Sequence, residues 1–218
     1  LPFQELKSLI PISDKLLKLN LDRYKNFQLH PEKKLVRKAL YAFSGDTYVG
    51  LDSRSFSDNE IVFADSGIRI ISGLYGLLKP SDLIQPYRLE MSTKLENNKG
   101  ADLYDFWKES ISKELSTILA KHKEKAIVNL ASKEYFKAVD TNKINASIFD
   151  IEFLEEKDGI FKVIGFFSKK ARGAMANYIV KNKINTPKDL KGFTLHGYKF
   201  QPDLSSESKY VYSRNLQK

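Results

Sequence analysis

The sequence predicts an α+β fold, a single domain in which helices surround a mixed sheet. Apolar residues recur at spacings of three and four over 101–122, which is typical of an amphipathic helix. Short apolar runs at 126–130 and 160–168 have the length of strands, and Asp158-Gly159 between two alternating runs indicates a β-hairpin. At 218 residues the chain is long enough to bury one sizeable core.

The N-terminal segment predicts a helix, a tight turn and a second helix before residue 27. Pro11 interrupts the first helix, and Ser13 is placed to cap the second. The turn from Ile10 to Lys15 resembles that of a helix-hairpin-helix, whose amides cradle a phosphate, although the two glycines usual there are absent. A DNA-binding hairpin with Lys15 as a contact and a plain helical corner therefore both remain open.

Residues 31–67 predict three short elements. A proline at the start and apolar residues on one face predict a helix over 31–43. Residues 44–52 predict a turn and a short strand, with Asp46 in a polar loop. Ser57 followed by Glu60 has the capping-box form and predicts a helix to about Ala64.

The stretch from Ile68 to Leu95 organises the rest of the chain. Its apolar start predicts a strand, and Pro80 and Pro86 keep the following loop out of helix. The loop carries Tyr87, Arg88 and Glu90 within four residues. Because functional groups concentrate on loops held by a rigid scaffold, we expect Arg88 and Glu90 to lie in a site.

The second half of the chain predicts a sheet. The helix over 101–122 carries Trp107 on its apolar face, which favours a packing role. A strand at Ala126–Leu130 leads into Ser132 and Glu134, which open a helix at the strand's carboxyl end, a favoured place for ligands in sheet proteins. Strands at 147–155 and 160–168 form the hairpin, and shorter strands follow around Gly197 and at 210–212.

A basic cluster follows the second hairpin strand. Ser168 is placed to cap a helix that runs to about Asn182, so that Lys169, Lys170 and Arg172 fall in its first turn. Cations are unfavourable at that end of a helix, which suggests a function, namely an anion pocket for phosphate. A solvated basic face is the alternative.

Composition narrows the function classes. Cysteine is absent, which excludes disulfides, thiol chemistry and thiolate metal sites, and the three histidines are far apart, so we expect no metal site and no cofactor. A net charge of +9 favours polyanions, above all nucleic acid, although solvated lysines at helix ends would give the same balance. No stretch predicts a membrane span or a leader, so we expect a soluble, unsecreted protein.

Five motifs follow one another along the chain: ISDKL at 12–16, AFSGDTYVGLD at 42–52, SGLYGLLKPSDLIQPYRLEM at 72–91, NLASKEYFKAV at 129–139 and FFSKKARGAMANYIV at 166–180. With these motifs the chain resembles the YaaA family, the bacterial peroxide stress resistance proteins. The family normally begins with a strand and a loop bearing a Pro-Ala-Lys-like segment, which this sequence lacks, so we expect its N-terminal strand to be missing from residues 1–218.

The resemblance implies a cytoplasmic protein of the hydrogen peroxide response that lowers available iron. It also implies a single α+β domain of unusual topology, with a helix-hairpin-helix-like element, a positively charged cleft and DNA binding. By position, the hairpin falls on Pro11 to Lys15, and the cleft residues are Arg88, Lys169, Lys170 and Arg172.

Two main functions follow as hypotheses. The first is sequence-tolerant binding of duplex DNA, with phosphates held by the basic residues and Tyr75 or Tyr87 available to stack on a base. The alternative is an enzyme acting on a nucleotide or a nucleic-acid base, with Asp46, Glu90 or Glu134 as general acid or base. An iron-binding protein is a third hypothesis, and the sequence gives no oligomeric state.

Overall fold

The computed structural model describes residues 3–216, which form two compact units. The first unit comprises the described part of Leu1–Ala42, Arg69–Ser116 and Ser132–Ile144, and the second comprises Phe43–Ile68, Thr117–Ala131 and the described part of Asn145–Lys218. The prediction of one domain over 1–218 stays a prediction, and its outermost residues, 1–2 and 217–218, lie outside the described range. Within that range, no helix combines the length and apolar character that crossing a membrane requires.

The first unit opens with two packed helices, α1 (Phe3–Leu9) and α2 (Asp14–Lys25). Leu6, Ile10 and Leu17 are buried together where the helices meet, which explains the predicted apolar spacing. Ser13 occupies the position before α2, as predicted, but its side chain makes no capping hydrogen bond. The helix, turn and helix are confirmed, whereas their assignment as a helix-hairpin-helix stays a prediction.

The helix predicted over 31–43 is wrong. This segment consists of a 3₁₀ turn (Lys33–Leu35), strand β1 (Arg37–Lys38) and the one-turn helix α3 (Ala39–Ala42). β1 pairs antiparallel with Leu83–Ile84, and the amide of Ala39 donates to the carbonyl of Asp82 at 2.7 Å. Backbone partners supplied by a distant segment override the local helical pattern.

The central stretch forms short strands rather than a strand and an open loop. β2 (Ile70–Ser72) and β3 (Gly76–Leu78) make a tight antiparallel hairpin, and β4 (Leu83–Ile84) follows as the partner of β1. The predicted strand is confirmed, and the predicted loop begins only after β4. The predicted long helix is confirmed, since residues Leu103–Leu119 form helix α6.

The strand predicted within 44–52 is wrong, because residues Asp46–Leu51 form helix α4. α4 packs closely on α8 (Gly165–Lys181): a Cβ on Gly50 would overlap the Lys170 backbone, and one on Gly173 would overlap the α4 backbone. The two helices can approach this closely because both positions are glycine. The local sequence pattern does not show this contact, because the facing helix is more than 100 residues away along the chain. The predicted capping box is confirmed, with the Ser57 side chain and Glu60 closing the start of α5 (Asp58–Gly67).

The second unit contains a mixed sheet, as predicted, and its five strands are β5 (Ala126–Asn129), β6 (Ser147–Lys157), β7 (Ile160–Lys162), β8 (Lys199–Phe200) and β9 (Lys209–Asn215). The strand order is β5-β6-β9-β8, and β7 pairs with the last residues of β6. β5 and β9 run parallel to β6, whereas β7 is antiparallel to β6 and β8 is antiparallel to β9. Asp158 (φ 54°) and Gly159 (φ 77°) make the predicted hairpin turn.

The second hairpin strand is shorter than predicted, and this changes the basic cluster. β7 ends at Lys162, and α8 already begins at Gly165, with Ile164 in the capping position. Ser168 therefore lies inside the helix and cannot cap it. Lys169, Lys170 and Arg172 lie beyond the first turn, so the predicted anion pocket made with free helix amides is wrong.

Aromatic side chains dominate the core of the second unit. The Phe153 ring packs against the rings of Phe193, Tyr198 and Tyr212 at centroid distances between 5.1 and 5.7 Å. Met175 from α8 is fully buried in the same cluster. The sheet and α8 therefore share one packed core.

Candidate functional site

The candidate site lies in the first unit, on the segment 72–92, and it is built from a tight turn. Ser72 ends β2, and its hydroxyl accepts from the amides of Leu74 (3.2 Å) and Tyr75 (2.9 Å). The same oxygen lies 2.6 Å from the Tyr87 hydroxyl. One serine thus orders the turn and attaches it to the following loop.

Gly76 is required at the end of this turn. Its φ is +73°, and a Cβ there would lie 2.6 Å from the ring of Trp107. Trp107 in turn donates its indole N–H to the Gly73 carbonyl at 2.8 Å. The tryptophan predicted as a packing residue therefore also clamps the hairpin to α6, since its ring fits only against a residue without a side chain.

Hydrogen bonds from Gln85 and Tyr24 hold the loop after β4. The Gln85 side chain makes two hydrogen bonds with the backbone of Gln28. The backbone amide of Gln85 donates to the Tyr75 hydroxyl at 3.0 Å. The Tyr24 hydroxyl on α2 donates to the Arg88 carbonyl. These contacts position the backbone that carries Arg88 and Glu90, so the two side chains are presented from a fixed segment.

Glu90 is the centre of the candidate site. Its Oε1 lies 3.2 Å from the guanidinium of Arg88, and its Oε2 accepts from the Tyr135 hydroxyl at 2.9 Å. The side chains of Arg88 and Glu90 are each 43% exposed. The carboxylate is therefore oriented by two partners while a large part of it remains accessible to a ligand.

Glu134 lies next to this group on helix α7 (Lys133–Phe136). Its Oε1 accepts from the amide (3.0 Å) and the hydroxyl (2.8 Å) of Ser92. Its carbonyl accepts from the Tyr104 hydroxyl at 3.1 Å, and Ser132 caps α7 as predicted. The Glu134 carboxylate thus ties the loop to α7 through one of its oxygens.

Three tyrosines around the loop keep their protons. Burial raises the pKa of Tyr87 to about 12 and raises the pKa of Tyr24 above its ordinary value. Burial and the neighbouring Glu90 carboxylate raise the pKa of Tyr135 far above its usual range. At neutral pH the Tyr135 hydroxyl is therefore a hydrogen-bond donor, and it is not available as a base.

The arrangement offers one exposed cation, one oriented carboxylate and a neutral tyrosine donor. Arg88 can hold an anion, and Glu90 can accept a proton or a hydrogen bond from a bound group. Within the described residues, no group of three or more histidine, aspartate or glutamate side chains is positioned to hold a metal ion.

The other predicted residues are divided between the two units. Lys15 belongs to the first unit and is exposed on α2, whereas Asp46 begins α4 in the second unit. Lys169, Lys170 and Arg172 also belong to the second unit. A cleft that joins Arg88 and Glu90 to this basic cluster remains a prediction.

The three basic residues of α8 have different surroundings. Lys169 is exposed, and its amine makes no ion pair or hydrogen bond within residues 3–216. The Lys170 amine lies 4.4 Å from the centre of the Phe166 ring. Arg172 donates to the carbonyls of Ser168 and Leu130, both at 3.4 Å, and burial lowers its pKa. Lys169 is the most available cation of the cluster, whereas Arg172 mainly positions local backbone.

Sequence reasoning missed three contributors to the site, namely Tyr135, Ser72 and Tyr24. Tyr135 carried a signal, because it lies in the short helix that Ser132 opens after β5. The contacts of Ser72 with Tyr87 and of Tyr24 with Arg88 carried none, since these partners are 15 and 64 residues apart along the chain.

Comparisons with known proteins agree over almost the whole chain. A family model described as peroxide stress protein YaaA matches residues 1–204. A UPF0246 protein of Acaryochloris marina is 48% identical over 212 residues, which cover 97% of this chain and 83% of that protein. A UPF0246 protein of Saccharophagus degradans is 49% identical over 211 residues, which cover 97% of this chain and 82% of that protein. A UPF0246 protein of Caulobacter vibrioides is 48% identical over 210 residues, which cover 96% of this chain and 82% of that protein.

Proposed function

Because the chain belongs to the peroxide stress protein YaaA family, we propose that it limits iron-dependent oxidative damage during hydrogen peroxide stress by binding duplex DNA. Contacts to phosphates come from Lys15 and Lys169, with further charge from Arg88, Lys170 and Arg172. Binding is sequence-tolerant, because these contacts reach the phosphate backbone and carry no base information.

The observation that carries the proposal is the availability of positive charge. Lys15 and Lys169 are exposed, and neither amine has an ion-pair partner among residues 3–216, in a chain of net charge +9. An unpaired surface lysine binds a phosphate without first breaking an existing ion pair, and it releases the counterions condensed on the DNA. Arg88, in contrast, would have to share its charge with Glu90.

The test is the salt dependence of binding to a fluorescent duplex, measured by anisotropy. Each phosphate contact contributes about 0.9 to the slope of log affinity against log salt concentration. We expect Lys15→Gln and Lys169→Gln each to lower the slope by about that amount, and the double variant by about twice as much. Lys123→Gln, which removes an exposed charge outside the proposed contacts, is the matched control.

Two results would overturn the proposal: no binding at low salt, or an equal loss of slope in Lys123→Gln. The proposed protection of cells is tested by measuring their survival in hydrogen peroxide. Cells that produce the double variant should be as sensitive as cells that lack the protein, and full protection by that variant would contradict a role of DNA binding in the response.

A second function is favoured by the Arg88–Glu90–Tyr135 group. An accessible carboxylate held between a cation and a tyrosine donor suits general acid–base chemistry on a nucleotide or a nucleic-acid base. The test is incubation with nucleotides and single-stranded DNA, followed by chromatography for altered or released bases. Loss of a product in Glu90→Gln supports this function, whereas an unchanged reaction in that variant excludes Glu90 as its acid or base.

A further inference from the structure

A cavity of about 550 Å³ lies within the second unit, and none of the candidate site residues described above lines it. Ala126 and Ser147, the first residues of β5 and β6, line it together with Tyr210 near the start of β9. Since these three strands are parallel, the cavity lies at the amino end of the parallel part of the sheet. Its volume is within the range of sites that hold small organic ligands.

One wall of the cavity is aromatic. The Tyr210 ring packs against Phe149 at 5.4 Å and against Phe200 at 5.6 Å between centroids, and all three residues line the cavity. Tyr210 is only 5% exposed, whereas Phe149 and Phe200 are half-buried. The half-buried rings offer an apolar surface on which a planar group can pack.

A cation is fixed against the same wall. The Lys191 amine lies 5.2 Å from the centre of the Phe200 ring and 5.3 Å from that of Tyr210. Its backbone is held in place because the preceding residue, Leu190, is fully buried and its carbonyl accepts from the Tyr212 hydroxyl at 2.8 Å. The positive charge therefore lies beside the aromatic surface, on a backbone that is held in place.

The charges around the cavity favour an anion. Lys125 and Lys188 also line it, and neither amine has an ion-pair partner among residues 3–216. Glu124 and Glu207 line it as well, so the three lysines exceed the carboxylates by one charge. The surroundings therefore favour an anionic ligand over a cationic one.

The remaining wall is preformed. The Ser205 hydroxyl donates to the Gln201 carbonyl at 2.6 Å and accepts from the Val211 amide at 3.0 Å, and the Ser206 amide donates to the Lys209 carbonyl at 2.8 Å. These bonds fix the segment 201–209 against β9. A ligand would therefore enter a formed cavity without the cost of ordering a loop.

We propose that this cavity binds a small planar ring that carries one phosphate or carboxylate group, with the ring on Phe149 and Phe200 and the anion at Lys191. The site is independent of the proposed DNA binding, because Lys15 and Lys169 do not line it. The ligand chemistry is shared by free mononucleotides, by aromatic carboxylates and by the terminal nucleotide of a nucleic acid, and the experiment separates these sources.

The experiment uses isothermal titration of the full chain with adenosine monophosphate, adenosine, benzoate and inorganic phosphate. We expect adenosine monophosphate or benzoate to bind, with adenosine monophosphate about tenfold or more tighter than adenosine, as one charged hydrogen bond would give. Lys191→Met keeps the apolar stem of the lysine and should reduce that ratio to about one. Lys162→Met, an exposed lysine on β7 outside the cavity, is the matched control and should leave the ratio unchanged.

The results that overturn the cavity site differ from those that overturn the proposed DNA binding. Absence of binding by all four probes, or a ratio that Lys191→Met leaves unchanged, overturns the proposal. Competition of adenosine monophosphate by a duplex, abolished in Lys15→Gln/Lys169→Gln, also overturns it, because the cavity would then belong to the DNA surface. If Lys191→Met does not fold, Lys191→Gln replaces it, and the same loss of the ratio is expected.

Discussion

Two glutamates of this protein, Glu90 and Glu155, have the same kinds of partner but opposite surroundings. Glu90 contacts Arg88 and Tyr135 in the first unit. Glu155 accepts from Arg214 at 2.9 and 3.1 Å and from the Tyr198 hydroxyl in the second unit. The Arg88 and Glu90 side chains are each 43% exposed, whereas those of Arg214 and Glu155 are 9% and 2% exposed.

The difference separates a structural charge group from an accessible one. All donors around Glu155 are protein groups in the core, and the Arg214 guanidinium also lies 4.5 Å from the Tyr198 ring. No ligand can reach this carboxylate without opening the sheet. Glu90 is held by the same residue types, yet solvent reaches it, so the same chemistry is available there for binding or proton transfer.

The largest expected effect tests that contrast directly. Arg214→Met should lower the free energy of unfolding by about 3 to 5 kcal/mol, because it leaves the buried Glu155 charge without its cation. Arg88→Met, the matched substitution, should lower it by less than about 1 kcal/mol, since exposed ion pairs contribute little. Urea unfolding followed by circular dichroism measures both. Equal losses in the two variants would show that the two groups are energetically alike.

A second comparison concerns the two hairpin turns. Gly76 (φ +73°) lies against Trp107, whereas Gly159 (φ +77°) has no neighbouring atom within 4 Å of an added Cβ. Gly76→Ala should cost about 2 to 4 kcal/mol through backbone strain and overlap with the indole, and Gly159→Ala about 1 kcal/mol through strain alone. Thermal unfolding measures the difference, and Trp107 fluorescence should shift only in Gly76→Ala. A similar cost at both positions would argue against a clamping role of Trp107.

The smallest expected effect is a dependence of stability on alkaline pH. The pKa of Tyr87 is about 12 in the folded chain against 10 for the free side chain, so its stabilisation is complete below pH 10. This contribution to the free energy of unfolding, about 2 to 3 kcal/mol in total, is lost as the pH rises from about 10 to 12. Tyr87→Phe should remove this part of the decline in unfolding free energy between pH 9 and 12. An unchanged profile would mean that Tyr87 titrates like an exposed phenol.

Several elements were predictable because their signals are local. The capping box at Ser57, the Asp158-Gly159 turn and the apolar stripe of α6 each depend on residues within a few positions of one another. The five family motifs are also local, and the match of the family model to residues 1–204 confirms the predicted membership. Glu90 and Arg88 were predicted as neighbours for the same reason, since they are two residues apart.

The errors occurred where distant segments supply the partners. β1 replaced a predicted helix because its backbone pairs with β4, and α4 replaced a predicted strand because two glycines let it pack on α8. The start of α8 was predicted too late, because Ser168 is a residue type that often caps helices, yet it lies inside α8, which begins at Gly165. In each case a plausible local pattern competed with a tertiary contact that contributes more.

The sequence by itself determined the family, the mixed sheet, the long helix and the surplus of positive charge, because composition and short-range patterns carry that information. Only the tertiary structure decided which carboxylate is buried and which is accessible, and that Tyr135 joins Glu90. It also brought Phe149, Lys191, Phe200 and Tyr210 together at one end of the sheet. These arrangements depend on contacts between residues tens of positions apart, whose pairing is fixed by packing of the whole unit.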